Sequence, residues 1–214
     1  MNHIMTGCKV ALAQGRYTWR HNNVLRVLGE YVDSKRKEIN SLPWKKRTWI
    51  KFQKSGDKSK PAKSVTQDSF LGGARDWKIQ VDLPGTPVIV PVHIAATAQR
   101  PDIILTSEAR KELIIIELTV PTEDRFKISS ELKLTRYEDD IKLAAQKKGW
   151  STVIWTVEVG CRGFPAPSMR RMLKEIGYQG RKQKEILKKL SLKAEESSMS
   201  IFQRSHFKTW GERD

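Results

Sequence analysis

Two carboxylates and a lysine are the residues of this 214-residue chain whose spacing could do chemistry. Asp102 opens the run Pro101-Asp102-Ile103-Ile104-Leu105, and Glu117 interrupts the apolar run Ile114-Ile115-Ile116-Glu117-Leu118-Thr119. If these runs form a hairpin about a turn centred on Ala109 and Arg110, Leu105 faces Ile114, Ile103 faces Ile116 and Asp102 faces Glu117. Directly opposed residues project to one face of a sheet, and like charges placed so are costly unless a cation lies between them. Two hard oxygen donors suit Mg²⁺ or Mn²⁺, and no His/Cys cluster there favours zinc. Such an ion would lower the pKa of a bound water and neutralise charge on a phosphodiester. Lys133 lies on a helix predicted downstream, with Tyr137 one turn on along the same face. A lysine beside the acids could orient an attacking water or stabilise a pentavalent phosphate. Taken singly, each has an ordinary reading: Asp102 a turn acid, Glu117 a strand-end charge, Lys133 one of 40 Lys and Arg. As an ordered set they point to a site, because an acid inside an apolar strand is expensive to bury without a partner.

The elements that must position these residues follow from periodicity. Val24, Leu25, Leu28, Tyr31 and Val32 recur at steps of three and four, which predicts a helix over 22–40, stopped by Pro43. Residues 76–83 alternate, with Trp77, Ile79, Val81 and Leu83 on one face of a half-buried strand. Pro84-Gly85-Thr86-Pro87 reads as a turn. Strands are predicted at Val88 to Ala95, Ile103 to Leu105, Leu113 to Val120 and Val153 to Val159. A long helix is predicted over 124–148, closed by Gly149, and basic helices over 167–209. The order predicts an α/β fold, a small mixed central sheet flanked by helices, with basic C-terminal helices.

The charge narrows the partner. Forty Lys and Arg stand against 24 Asp and Glu, a formal net charge of +16 and a sequence pI near 9.9. Such a surplus suits a polyanion, because each neutralised phosphate releases a condensed counterion. No apolar run approaches the roughly 18 residues that argue for a membrane span. No basic amphipathic helix carries the bulky aromatic face that membrane adhesion uses. The N-terminal residues carry no pattern of a secretory leader, and two distant cysteines, Cys8 and Cys161, suit a reducing compartment. Residues 44–68 read as a mobile basic loop in which Lys45, Lys46 and Arg47 interleave with Trp44, Trp49 and Phe52. That composition suits either stacking on nucleic acid or docking of the aromatics on the core.

Pro101-Asp102 followed by Glu117 in an apolar strand resembles the PD-(D/E)XK nuclease motif. Thr119 stands where that motif has its lysine, and Lys133 is the candidate for a lysine displaced to the next helix. More narrowly, four blocks resemble the restriction-like endonuclease end of site-specific non-LTR retrotransposon polyproteins. They are Cys8 to Leu12 through Gly15 to Asn22, then Arg100-Pro101-Asp102-Ile103, then Lys133 with Tyr137, then Val157 to Phe164. The resemblance spans residues 3 to about 178. It implies a restriction-endonuclease-like domain over 22–178 that nicks chromosomal DNA, the freed 3′ hydroxyl priming reverse transcription of the element RNA. It also implies a nuclear site of action after cytoplasmic synthesis, and an upstream reverse transcriptase missing from this chain.

Under the same resemblance, His3 and Cys8 match the last two ligands of a zinc knuckle. Residues 1–21 are then a knuckle remnant and lead-in, with no stable zinc and a frayed N-terminus expected, and 179–214 a basic helical tail. Asp102 and Glu117 become the metal ligands, with Lys133 and Tyr137 catalytic. Glu30 is either a further metal ligand or a solvent-facing helix acid. The candidate DNA contacts are Arg20, His21, Lys45, Lys46, Arg47 and Arg162. Arg162, inside a Gly-x-x-Gly turn, could instead serve the turn alone. Cys161 reads as a buried small residue, and His93 and His206 as surface or core filling.

Overall fold

A computed structural model describes residues 3–43, 69–207 and 209–210, apart from a few side chains on one helix. Four strands form one sheet in the order β1 (Lys78–Val81), β2 (Ile103–Ser107), β3 (Glu112–Thr119), β4 (Ser151–Glu158). The β1–β2 and β2–β3 pairs are antiparallel and β3–β4 is parallel, so the sheet is mixed. The β2–β3 register pairs Ile103 with Ile116 and Leu105 with Ile114, the symmetric hairpin predicted from the sequence. Asp76 fastens its tip, accepting from Ser107 Oγ at 2.6 Å and from the Ala109 amide at 2.9 Å.

Two helices precede the sheet, the short α1 (Lys9–Ala13) and the 26-residue α2 (Arg16–Ser41). Gly15, at φ 70°, makes the break between them, a left-handed conformation that glycine adopts without a Cβ clash. The α2 helix begins well before residue 22. Its buried stripe runs Arg16, Arg20, Val24, Leu28, Val32, Lys35, Ile39, so its first two rungs are arginines and carry no apolar signal. The N-terminal residues are docked rather than frayed. Met5 is buried, Tyr17 Oη donates to the Ile4 carbonyl at 2.9 Å, and Arg20 Nη1 donates to the Met5 carbonyl at 2.9 Å.

After β3, a helical rod returns the chain to the parallel position: a 3₁₀ turn (Glu123–Arg125), α3 (Phe126–Tyr137), a π turn (Glu138–Lys142) and α4 (Leu143–Lys147). Gly149, at φ 76°, closes it. The Gly149 amide bonds the Gln146 carbonyl and the Trp150 amide the Ala145 carbonyl, the paired bonds of a Schellman ending. Then come α5 (Pro167–Glu175) and α6 (Gly180–Gln203). The α6 helix is part of the core and not an appended tail. Ile186, Leu187, Leu190 and Ala194 join Val24, Leu25, Leu28 and Val32 of α2 in one apolar cluster.

The sheet is covered on both faces. On one, α2, α5 and α6 pack on Ile103, Leu105, Ile114, Ile116 and Val157. On the other, Tyr137, Ile141, Ala145 and Trp150 meet Ile104, Leu113 and Ile115. Hence β3 is an unbroken buried run, as a central strand covered on both faces should be. The second face is also covered by residues 88–95, which are not the predicted strand. Val88, Val90, Ile94 and Ala95 are buried, but Pro87 precedes the segment and Pro91 interrupts it, and both lack the amide a ladder needs. Side chains of β1 and the turn after it hold the segment instead: the Val88 amide bonds Asp82 Oδ1 at 2.9 Å and the Ile89 amide bonds Gln80 Oε1 at 3.0 Å. Among the described residues, no helix is long and apolar enough to cross a membrane.

Candidate active site

Asp102 immediately precedes β2, and Glu117 lies near the carboxyl end of β3. Glu117 shares its sheet face with Leu113 and Ile115, because side chains alternate along a strand. The two acids are joined by a reciprocal clasp. The Asp102 amide donates to Glu117 Oε2 at 3.1 Å, and the Leu118 amide donates to Asp102 Oδ2 at 2.8 Å. Each carboxylate thus takes a hydrogen bond from the opposite strand, which offsets part of the repulsion between them. The Glu117 side chain is 1% exposed, and Lys133 Nζ donates to its Oε1. Lys133 itself is 31% exposed, so the cation closes the solvent side of the buried acid. Burial, then the charge of Asp102, push the Glu117 carboxyl above its ordinary pKa, and Lys133 only partly opposes them.

A fourth side chain enters from α2. His21 Nε2 lies 3.2 Å from Asp102 Oδ2 and 3.2 Å from the Leu118 carbonyl oxygen, while Nδ1 lies 3.2 Å from Asn22 Oδ1. Oxygens about both ring nitrogens favour the imidazolium. Burial opposes that charge, but the hydrogen bond and charge of Asp102 outweigh it, and His21 is held above its ordinary pKa. His21 was read from the sequence as a DNA contact, and the structure gives it the further task of orienting Asp102. Its sequence signal is only its position one turn before the apolar stripe of α2. Thr119, where the motif would place lysine, pairs with Glu158 across β3–β4, and its hydroxyl is buried with no hydrogen-bond partner among the described residues.

The other candidates fall elsewhere. Tyr137 follows Lys133 along the helix but is 1% exposed within the apolar cluster of Ile104, Ile115 and Trp150, so a catalytic hydroxyl there is a correction. Arg20 is not a surface DNA contact either. It is buried and donates to the Met5 and Val120 carbonyls and to Ser198 Oγ. Glu30 is exposed nine residues past His21, about 13 Å along the helix axis. It lines an open groove with Tyr31, Tyr178 and Lys182, and so stands away from the acid pair.

Arg162 is exposed but clasped by Glu123, with Nη2–Oε2 at 2.7 Å and Nε–Oε2 at 2.8 Å. The Glu123 carboxylate also accepts the Arg162 amide at 3.2 Å and occupies the space a Cβ on Gly160 would need. The turn role accounts for Arg162, and Glu123 was the partner the sequence reading missed. Cys161 is buried, as read from the sequence. His93 pairs with Glu108 at 2.8 Å, and His206 packs on Phe207. His3 begins a π-helical turn, and the Cys8 amide donates to Tyr17 Oη at 3.0 Å. Lys45, Lys46 and Arg47, with the rest of residues 44–68, lie outside the described residues.

No group of three or more His, Cys, Asp or Glu side chains is arranged to hold a metal among the described residues. The donor set is therefore no closed cage. Asp102 and Glu117 suit a hard, hydrated dication of the Mg²⁺ kind, which is commonly bound by one or two carboxylates and completed by water and substrate phosphate. No family model matches the chain, and no curated protein matches it significantly.

Proposed function

We propose that this chain is a metal-dependent DNA endonuclease of the restriction-like type. One observation carries the reading: two carboxylates from adjacent strands converge on a buried face and meet a lysine from the next helix. The net charge of +16 supports a polyanionic substrate. Asp102 and Glu117 would hold Mg²⁺ or Mn²⁺, which when bound supplies Lewis acidity toward a phosphodiester and its attacking water. Lys133 presents positive charge at the mouth of the site, where charge develops on the phosphate. His21 fixes the Asp102 carboxylate and adds a second positive charge. Glu117, covered by Lys133, would supply the second carboxylate from the inner side. Water adds to phosphorus, the bond from phosphorus to the 3′ oxygen breaks, and a 3′ hydroxyl and a 5′ phosphate result. In the setting the sequence resemblance implies, that hydroxyl primes reverse transcription of an element RNA in the nucleus by an upstream polymerase region.

A plasmid-nicking assay in Mg²⁺ and Mn²⁺ tests the assignment. Wild type should convert supercoiled to open-circular DNA, and Asp102→Asn, Glu117→Gln and Lys133→Ala should each lose at least about two orders of magnitude, the scale of one electrostatic stabiliser. Nicking by all three variants at the wild-type rate would sink it. DNA binding without cleavage is a second reading, favoured by Thr119 in the lysine position and by the absence of a third acid among the described residues. It is chosen if wild type binds DNA but nicks in neither metal.

A further inference from the structure

Among the described residues, positive charge is concentrated on α5 and α6, away from the acid pair. Between residues 170 and 189 the sequence holds eight Lys and Arg against two Glu. On α5, Met169, Met172 and Leu173 are buried, which turns Arg170, Arg171 and Lys174 outward. On α6, Ile186, Leu187 and Leu190 are buried, and Arg181, Lys184 and Lys188 form an outward stripe at steps of three and four. Glu185 is already engaged by Lys182 at 3.2 Å and Lys189 at 3.6 Å, and those two lysines also sit over the Tyr31 ring. Arg170, Arg171, Lys174, Arg181, Lys184 and Lys188 have no ion pair among the described residues. Farther along the same outward stripe of α6, the cations give way to Leu192, Glu195 and Met199. The charge is a bounded patch and not a uniform property of the helix.

We infer that this α5–α6 face is a second DNA-binding surface, one that grips the phosphate backbone of a duplex without reading its sequence. The inference rests on the proposed function for the choice of DNA. The chemistry of the face fits it. No aromatic is exposed between residues 167 and 190, as insertion into a membrane interface would favour. No exposed apolar anchor sits among the cations, as a protein hot spot would require. What remains is rows of mobile point charges, and phosphates are recognised by such groups.

Its place along the fold sets the reach. The α6 helix runs antiparallel to α2: Ser198 touches Arg20, next to the site residue His21, while Lys189 lies over Tyr31. From Ser198 back to Lys184 is 14 residues, about 21 Å of helix. That is on the order of six base-pair steps at 3.4 Å each. A duplex held at both places must therefore extend at least that far to one side of the scissile bond.

The test is fluorescence anisotropy on the full chain in EDTA, with a 24-base-pair duplex, across a series of NaCl concentrations. Wild type is compared with Arg181→Gln/Lys184→Gln/Lys188→Gln, and with a control of equal charge change, Lys9→Gln/Lys78→Gln/Lys147→Gln. All six positions are exposed or nearly so, and circular dichroism checks that both variants fold. If each stripe residue neutralises one phosphate, the log–log salt slope falls by about 2.7, and affinity near 0.1 M salt drops on the order of 10²-fold. The control triple should leave both within error. Equal losses in the two triples, or none in the α6 triple, overturn the inference. So does an α6 triple that keeps its DNA affinity while losing affinity for polyglutamate or for anionic vesicles. Cleavage plays no part in the readout, so absence of nuclease activity would defeat the proposed function and leave this measurement standing.

Discussion

Glu117→Gln should make the metal-free protein more stable. The wild-type carboxylate is 1% exposed, faces Asp102 across the hairpin, and among the described residues is ion-paired only with the partly exposed Lys133. Glutamine keeps the shape, and its carbonyl oxygen can still accept the Asp102 amide. Lys133, 31% exposed, can turn to water when it loses its partner. Removing one of two facing like charges is worth about 1 kcal/mol. For a chain of this size that raises Tm by roughly 2–4 °C. The same substitution should remove the stabilisation by divalent ions. At ten times its Kd, a ligand bound only by the folded state contributes about 1.4 kcal/mol, or roughly 3–6 °C. Differential scanning fluorimetry at neutral pH, with EDTA and then with a Mn²⁺ titration, measures both effects. The reasoning fails if the variant melts below wild type in EDTA, since Glu117 would then be a structural acid. It fails equally if Mn²⁺ raises the melting temperature of both proteins alike.

Three further expectations follow from the fold. Asp76→Asn should destabilise the β2–β3 hairpin by about 1–2 kcal/mol at neutral pH through loss of charge-assisted hydrogen bonds. Burial would raise the Asp76 pKa, but the bonds from Ser107 and the hairpin amides hold it below the ordinary 3.8. Its contribution is therefore present above that value and lost as pH falls through the lowered one, so urea melts of variant and wild type should begin to converge only below 3.8 and coincide once pH is under the lowered value. Arg20→Met should cost about 3 kcal/mol by orphaning the Met5 and Val120 carbonyls and Ser198, and should leave the salt slope of DNA binding unchanged; a smaller slope with unaltered stability would restore Arg20 as a DNA contact. Tyr137→Phe should nick within about threefold of wild type, because the ring sits in the apolar cluster; a loss on the scale of 10²-fold, typical of a removed acid or base, would return the hydroxyl to the chemistry.

The hairpin was legible because its register is locally determined. Two apolar runs about one short charged turn leave one symmetric pairing, and Asp102 then falls opposite Glu117. Lys133 was legible only through a motif, since one lysine among 40 carries no periodic signal. Other features were hidden by long-range packing. Arg16 and Arg20 occupy core positions because Arg204, Phe207, Met5 and Val120 supply carbonyls from distant parts of the chain, and no window around residue 16 contains those partners. Residues 88–95 look like a strand by composition, yet the prolines at 87 and 91 direct their backbone to side-chain acceptors. The α6 helix looked like a detached tail because its cations crowd its first fourteen residues, although Ile186, Leu187, Leu190 and Ala194 fall on the stripe facing α2. The contact of His21 with Asp102 was hidden because both His21 and Glu30 are polar residues of one helix, and only the sheet decides which of them it approaches.

The pairing of α2 with α6 has a consequence for the birth of the protein. The Arg20–Ser198 contact joins residues 178 apart. At synthesis rates of about 5–20 residues per second, α2 leaves the ribosome roughly 10–35 seconds before the helix that covers it. Throughout that interval Val24, Leu25, Leu28 and Val32 have no α6 to lie against, and a chaperone that holds amphipathic helices would find its substrate there.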